Sequence, residues 1–314
     1  MSYAILKEGL NQIDKITKWS LFLIHYNHKT HPNEYTCYPL YFEPVNLINT
    51  VVSRQKTTFE KNIEAFDEKV IKYTGFNSKG VIDKIDMSDE LINTQWAALL
   101  RHIQDHDDSK KIDEIKAGAY IFVGIYKNDD GEDSNLYLLT KRNPIVNLKK
   151  SKRSVFVSRL NTLAEVTEPM VQFGSCFDAI IYSNAIYMIN SNCESVFNLE
   201  YSHKKICQKH LNELETMDMI EDFDEYVSYA NKGQTPKKFI SYSSQVVNYL
   251  KKPTSREKFA KIFGIPYDKK NKKFDLSNPQ NAKNFTLGIC GKAKRELTED
   301  SLCEVPMSMP LKTS

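Results

Sequence analysis

The run Ala117–Tyr126 (AGAYIFVGIY) is continuous, apolar and rich in β-branched and aromatic residues. It is too short to be a spanning helix and reads as a strand. The turn Asn128-Asp129-Asp130-Gly131 and the segment Asn135–Thr140 follow it, so the pair predicts a β-hairpin. A second hairpin is predicted from Phe177–Tyr182 and Ala185–Ile189 around the Ser183-Asn184 turn. Ser154–Leu160 alternates in strand fashion, and Val196–Leu199 reads as a further strand. The expectation is one antiparallel sheet from Ala117 to about Tyr201.

Helical patterns flank it. Ile5, Ile13 and Ile16 mark an N-terminal helix, followed by strands at Leu21–Tyr26 and Cys37–Phe42. From Val45 to Tyr73 the residues Val52, Phe59, Ile63, Phe66, Val70 and Tyr73 recur at helical spacing, which predicts one long amphipathic helix. Asp83 to Lys116 is acidic and polar around one helical core of Leu91, Trp96, Leu99 and Leu100. Helices are expected over His203–Ile220, Phe239–Leu250, Arg256–Phe263 (capped by Thr254-Ser255) and Ala282–Lys294, with a turn or short strand at Asp268–Phe274. The fold class is therefore α+β, an antiparallel sheet in the middle of the chain flanked by N-terminal and C-terminal helical regions. The expected division is an N-terminal α+β region, 1–116, and a β-rich core with a basic helical C-terminal region, 117–314.

The charge is sorted. The net charge is only +3, but from Lys237 to Arg295 fifteen Lys or Arg face three acids, a local +12. From Lys141 to Arg159 seven basic residues stand without an acid, and Glu213 to Glu225 holds seven acids without a base. Such segregation attracts polyanions to one face. Tyr242, Tyr249, Phe259, Phe263, Tyr267 and Phe274 interleave with the basic block and supply rings for stacking on bases or for a core. The candidate DNA-binding residues are Lys237, Lys238, Lys251, Lys252, Arg256, Lys258, Lys269, Lys270, Lys272 and Lys273, joined by Lys149, Lys150, Lys152 and Arg153. The competing reading docks the basic segment onto the acidic stretch of the same chain or of a second copy.

Familiar catalytic signatures are missing from the sequence: it has neither a Gly-rich phosphate loop nor HExxH nor GxSxG. His25, His28 and His31 read as loop histidines, His102 and His106 as a solvated helix face. His203, Cys207 and His210 share a face with core residues. The six cysteines form no CxxC pair and read as reduced, individually buried thiols. A metal-dependent nuclease needs paired carboxylates and a lysine at one place. Glu114-Ile115-Lys116, with Asp83, Asp86 or Asp89 as partner, has those residue types and keeps that alternative open. No cofactor is expected.

The hairpin FDAIIYSNAIYMIN (Phe177–Asn190) and SVFNLEY (Ser195–Tyr201) carry a resemblance to a known family. The run from Ser255 to Phe285 and the tail LTEDSLCEVPMSMPL add to it. Together these features resemble the B subunit of the Kiwa anti-phage defence system, a KwaB-like protein with a domain of unknown function. The resemblance implies a DNA-binding effector that lacks a recognisable catalytic motif and restricts phage DNA with a multi-pass membrane partner. No apolar run reaches the ~20 residues of a spanning helix, and Glu8 and Asp14 interrupt the N-terminus where a leader would be apolar. The chain is accordingly expected in the cytoplasm, held at the inner face of the membrane by its partner, and as a homo-oligomer.

Overall fold

The computed structural model describes residues 2–29, 34–66, 69–75, 80–146, 156–159, 162–166, 170–291, 293–295 and 302–304. They form two compact units, Met1–Lys72 with Lys79–Leu199, and Tyr73–Ser78 with Glu200–Ser314.

The first unit runs α1 (Ser2–Ile13), β1 (Trp19–Tyr26), β2 (Tyr35–Leu40), α2 (Leu47–Glu64), β3 (Val70–Lys72), β4 (Ile82–Asp86), α3 (Asn93–Gln104), β5 (Ala119–Lys127) and β6 (Asp133–Thr140). It continues with β7 (Ile145–Val146), β8 (Phe156–Arg159), β9 (Thr162–Glu165), β10 (Met170–Val171), β11 (Ala179–Tyr182) and β12 (Ala185–Met188). Eight strands form one sheet in the order β2-β1-β5-β6-β11-β12-β4-β3, antiparallel except for β3 beside β4.

Helices cover both faces, which explains why β5 is apolar from Ala119 to Val123. Tyr120 and Phe122 point into the cluster of Leu6, Leu10 and Ile13 of α1 and Val52, Phe59 and Ile63 of α2. Tyr137 alternates with Leu136 and Leu138 and so faces the other way, where Trp96 of α3 meets it edge-on at 5.0 Å. Ser183 and Asn184 both take positive φ, 49° and 56°, the requirement of a two-residue hairpin turn whose twist matches its strands.

The sheet is larger than the sequence indicates. It recruits β1 and β2, and it recruits β3 and β4 from stretches read as helix and as polar connection. Val70 therefore belongs to an edge strand, and α2 ends at Glu64. The alternating Ser154–Leu160 segment, described over Phe156–Arg159, pairs with β9 in a separate ribbon. Val196–Leu199 is no strand: a 3-10 turn over Ser191–Ser195, capped by the Asn190 side chain, leads through Asn198 (φ 49°) into a helix.

The second unit contains that helix, α4 (Leu199–Glu215), then α5 (Phe223–Ala230), α6 (Thr235–Lys238), α7 (Ser244–Leu250) and α8 (Pro253–Phe263). The hairpin β13 (Tyr267–Asp268) and β14 (Lys273–Phe274), α9 (Pro279–Ile289), β15 (Ala293–Arg295) and β16 (Leu302–Glu304) complete it. Its core gathers Cys207, Leu211, Tyr226, Phe239, Leu250, Phe259, Phe274 and Phe285. Pro253 is the first residue of α8, where its missing N–H costs nothing, so Thr254 and Ser255 lie inside the helix. At Gly288 of α9 a Cβ would fall 2.4 Å from Phe259 Cζ, and only glycine lets the two helices approach this closely.

Candidate nucleic-acid interface

Apart from Lys238, the candidate basic residues described in the second unit fall into three physical classes. Lys237 and Arg256 are buried, at 7% and 8% exposure. Lys237 lies over the ring of Tyr73, 5.6 Å from its centroid, and its carbonyl would stand 2.4 Å from a Cβ at Gly75, whose φ is +76°. Arg256 spends its guanidinium on the backbone: Nε donates to Leu250 O at 2.8 Å, Nη1 to Lys272 O at 2.9 Å and Nη2 to Met217 O at 3.3 Å. Both sit inside, so their charge reaches a phosphate only through the protein.

Lys269 and Lys273 form the second class, paired with acids. Lys269 reaches Glu257 at 2.5 Å, which raises its pKa, and Lys273 reaches Asp218 at 2.6 Å. β14 also bonds to the acidic stretch through its backbone. Phe274 N–H donates to Met219 O at 2.8 Å and Glu221 N–H to Phe274 O at 3.0 Å. The basic segment thus contacts the chain's own acidic stretch, through the Lys273–Asp218 pair, the backbone of β14 and the Arg256–Met217 bond.

Lys251, Lys252, Lys258, Lys270 and Lys272 make the third class, exposed and without an ion pair among the described residues. Lys261 of α8, not singled out from the sequence, is exposed in the same way. Lys238 is half-buried. Lys149, Lys150, Lys152 and Arg153 lie outside the described residues.

Lys258 and Lys261 lie on α8, and two other pieces of chain carry the rest of the third class. One is the junction between α7 and α8, with Lys251 and Lys252; the other is the loop of the β13–β14 hairpin. The loop is built around Asp268, whose carboxylate accepts the N–H of Asn271 and of Lys270, which depresses its pKa, and the Asn271 side-chain amide as well. Lys272 closes it at φ 61°. Arg256 bonds the carbonyl before the junction and the carbonyl inside the loop, so one buried guanidinium brings the two lysine groups to a common place. Sequence reading counted Arg256 as a contact residue and missed that role, because charge alone does not report burial.

A protein-family model described as Kiwa protein KwaB-like matches residues 120–280, half of the chain, including the second hairpin of the sheet and the whole of the lysine arrangement. The chain belongs to the KwaB-like family of Kiwa proteins. That membership places it in Kiwa anti-phage defence and alongside other Kiwa subunits. No curated protein and no solved structure matches it.

The remaining candidates of this KwaB-like chain disperse. His25 Nδ1 lies 2.7 Å from Lys116 O, and His28 Nε2 lies 3.0 Å from Val196 O with its ring stacked on Tyr26 at 4.9 Å. His31 is outside the described residues. His102 sits near the Tyr35 ring, while His106 Nδ1 meets Ile103 O at 3.1 Å. His203 is buried 3.3 Å from Tyr73 OH, with desolvation and then Lys237 pushing its pKa down to about 3. Cys207 points at Ala230 O, and His210 stacks on Tyr242 at 3.8 Å. Among the described residues no three His, Cys, Asp or Glu side chains form a metal-holding group. Glu114 and Lys116 lead into β5, and Asp83 and Asp86 are on β4, four strands away, roughly 19 Å at ~4.8 Å per strand. No helix among the described residues is long and apolar enough to cross a membrane.

Proposed function

We propose that the protein binds DNA without strong sequence preference through the lysines of its second unit, and restricts phage DNA as a Kiwa effector working with a membrane-embedded partner. One observation carries the reading. Lys251, Lys252, Lys258, Lys270 and Lys272 are exposed without an ion pair among the described residues, while buried Arg256 fixes the two backbone segments bearing most of them. Lysines free of acids release counterions when phosphates replace solvent, and they read charge and not sequence.

The test is fluorescence anisotropy on unrelated DNA sequences from about 50 to about 200 mM salt, with chelator present. Five contacts give a slope of log K against log salt of about −4.5. Charge reversal of Lys251, Lys252, Lys270 and Lys272 to Glu lowers the affinity and flattens the slope; unchanged binding at every salt concentration removes the site. With magnesium or manganese the DNA stays intact. Cleavage abolished by Glu114→Ala or Lys116→Ala would establish the metal-dependent nuclease instead.

The acidic stretch supplies the other half of the proposal. All seven acids from Glu213 to Glu225 are exposed, and they suit the positive cytoplasmic loops of a membrane partner. Recovery of the protein in the membrane fraction only when the partner is present, lost on reversing Glu221, Asp222, Asp224 and Glu225, is the expected outcome. Sizing at high salt measures whether copies of the chain also associate with each other.

A further inference from the structure

We infer that Tyr249 is a base-stacking residue and that the lysine face accordingly takes unpaired DNA in preference to intact duplex. The inference rests on the DNA-binding reading and goes further by naming the form of DNA and the side chain that selects it.

Six aromatic side chains are interleaved among the lysines of the second unit. Phe259, Phe263 and Phe274 are buried at 3% exposure or less and pack on one another and on Phe285. Tyr242 stacks on His210 and on Phe239. Tyr267 packs against Phe274, and its hydroxyl donates to Pro253 O at 3.3 Å. Five of the six rings therefore belong to the fold. Tyr249 differs: it is 46% exposed, and its side chain has no ring or hydrogen-bond partner among the described residues.

Its place in the chain completes the case. α7 buries Val247 and Leu250, which leaves Asn248 and Tyr249 on the outer side of its last turn. Exposed Lys251 and Lys252 follow directly. The adjoining Leu250 carbonyl is held by the Arg256 guanidinium, which also holds Lys272 O in the basic loop. An exposed ring is thus fixed beside two groups of phosphate-binding lysines. A large apolar ring left in water beside cations gains by stacking on a base, and in a duplex the base faces are already covered by their neighbours.

The test uses an oligothymidylate of about 16 nucleotides, at the upper end of usual single-strand site sizes, and a blunt duplex of equal length at one salt concentration. Tyr249→Ala is expected to weaken oligothymidylate binding on the order of 10- to 100-fold and duplex binding by less than about 2-fold, with Tyr249→Phe close to the parent. Photocrosslinking to an oligonucleotide carrying 5-iodouracil should yield an adduct on the peptide that contains Tyr249. An unaltered thermal midpoint for Tyr249→Ala keeps the comparison on folded protein. Parent-like binding of the single strand by Tyr249→Ala, or equal losses on both forms, overturns the inference. The charge-reversed lysine variant separates the two readings. If it loses binding while Tyr249→Ala does not, the lysine site stands and the stacking fails; if neither loses binding, the lysine site itself is wrong.

Discussion

Arg256 Nη1 donates to the carbonyl of Lys272 at 2.9 Å, so the most basic loop of the chain is held by a buried cation that never faces solvent. The same guanidinium bonds Leu250 O and Met217 O. Removing it strands three carbonyls. Arg256→Leu is expected to destabilise by about 2–5 kcal/mol, with Arg256→Lys intermediate because an ammonium lacks the planar fork. Urea unfolding measures the loss. DNA affinity under folding conditions should fall with it, as the loop and the α7–α8 junction lose their common anchor.

Lys273 and Asp218 form an ion pair whose acid is 81% exposed. Solvent screens it, and a double-mutant cycle should give a coupling below about 1 kcal/mol. Its effect on DNA affinity is expected to exceed its effect on stability. Asp218→Asn frees Lys273 for phosphate, so the salt slope should steepen by ~1 in log K against log salt. An unaltered slope would place Lys273 outside the DNA footprint.

His203 is buried neutral, with its folded pKa near 3 through desolvation first and Lys237 second. The unfolded chain binds the proton more readily, so the stabilising contribution is complete above about pH 6.5 and is lost as pH falls from there toward 3. Within that window the slope approaches about 1.4 kcal/mol per pH unit. Denaturant midpoints at pH 7.5 and 5.0 for the parent and His203→Gln check it: the parent loses stability on acidification and the variant loses less.

Gly288→Ala places a methyl group 2.4 Å from Phe259 Cζ in the contact between α8 and α9. Phe259 is itself packed against Phe263, Phe274 and Phe285, so it has little room to yield. The expected cost is about 1–3 kcal/mol, read from the thermal midpoint.

Much of the sheet is legible in residues. Tyr182-Ser183-Asn184-Ala185 specifies its own tight turn, because asparagine tolerates left-handed backbone and the flanking strands are apolar. The segment Ile82-Asp83-Lys84-Ile85-Asp86 is not legible. Two carboxylates and a half-buried lysine resemble a surface connection, and only pairing with β12 on one side and β3 on the other makes it a strand. Val70–Lys72 likewise fits a helical period and becomes an edge strand because β4 offers it a parallel partner. Hydrogen bonds between strands far apart in sequence leave no local signature.

The sequence by itself determined the α+β class, both hairpins and the sorting of charge into a basic C-terminal block beside an acidic stretch, since propensity, period and charge are properties of neighbouring residues. Tertiary structure alone decided which cations face outward. Arg256 and Lys237 were drawn inside, Lys269 and Lys273 were paired, and Lys251, Lys252, Lys270 and Lys272 were left exposed. Burial and pairing depend on what packs against a residue, and here the deciding neighbours come from Met217, Asp218 and Tyr73, distant in the chain and adjacent only once it folds.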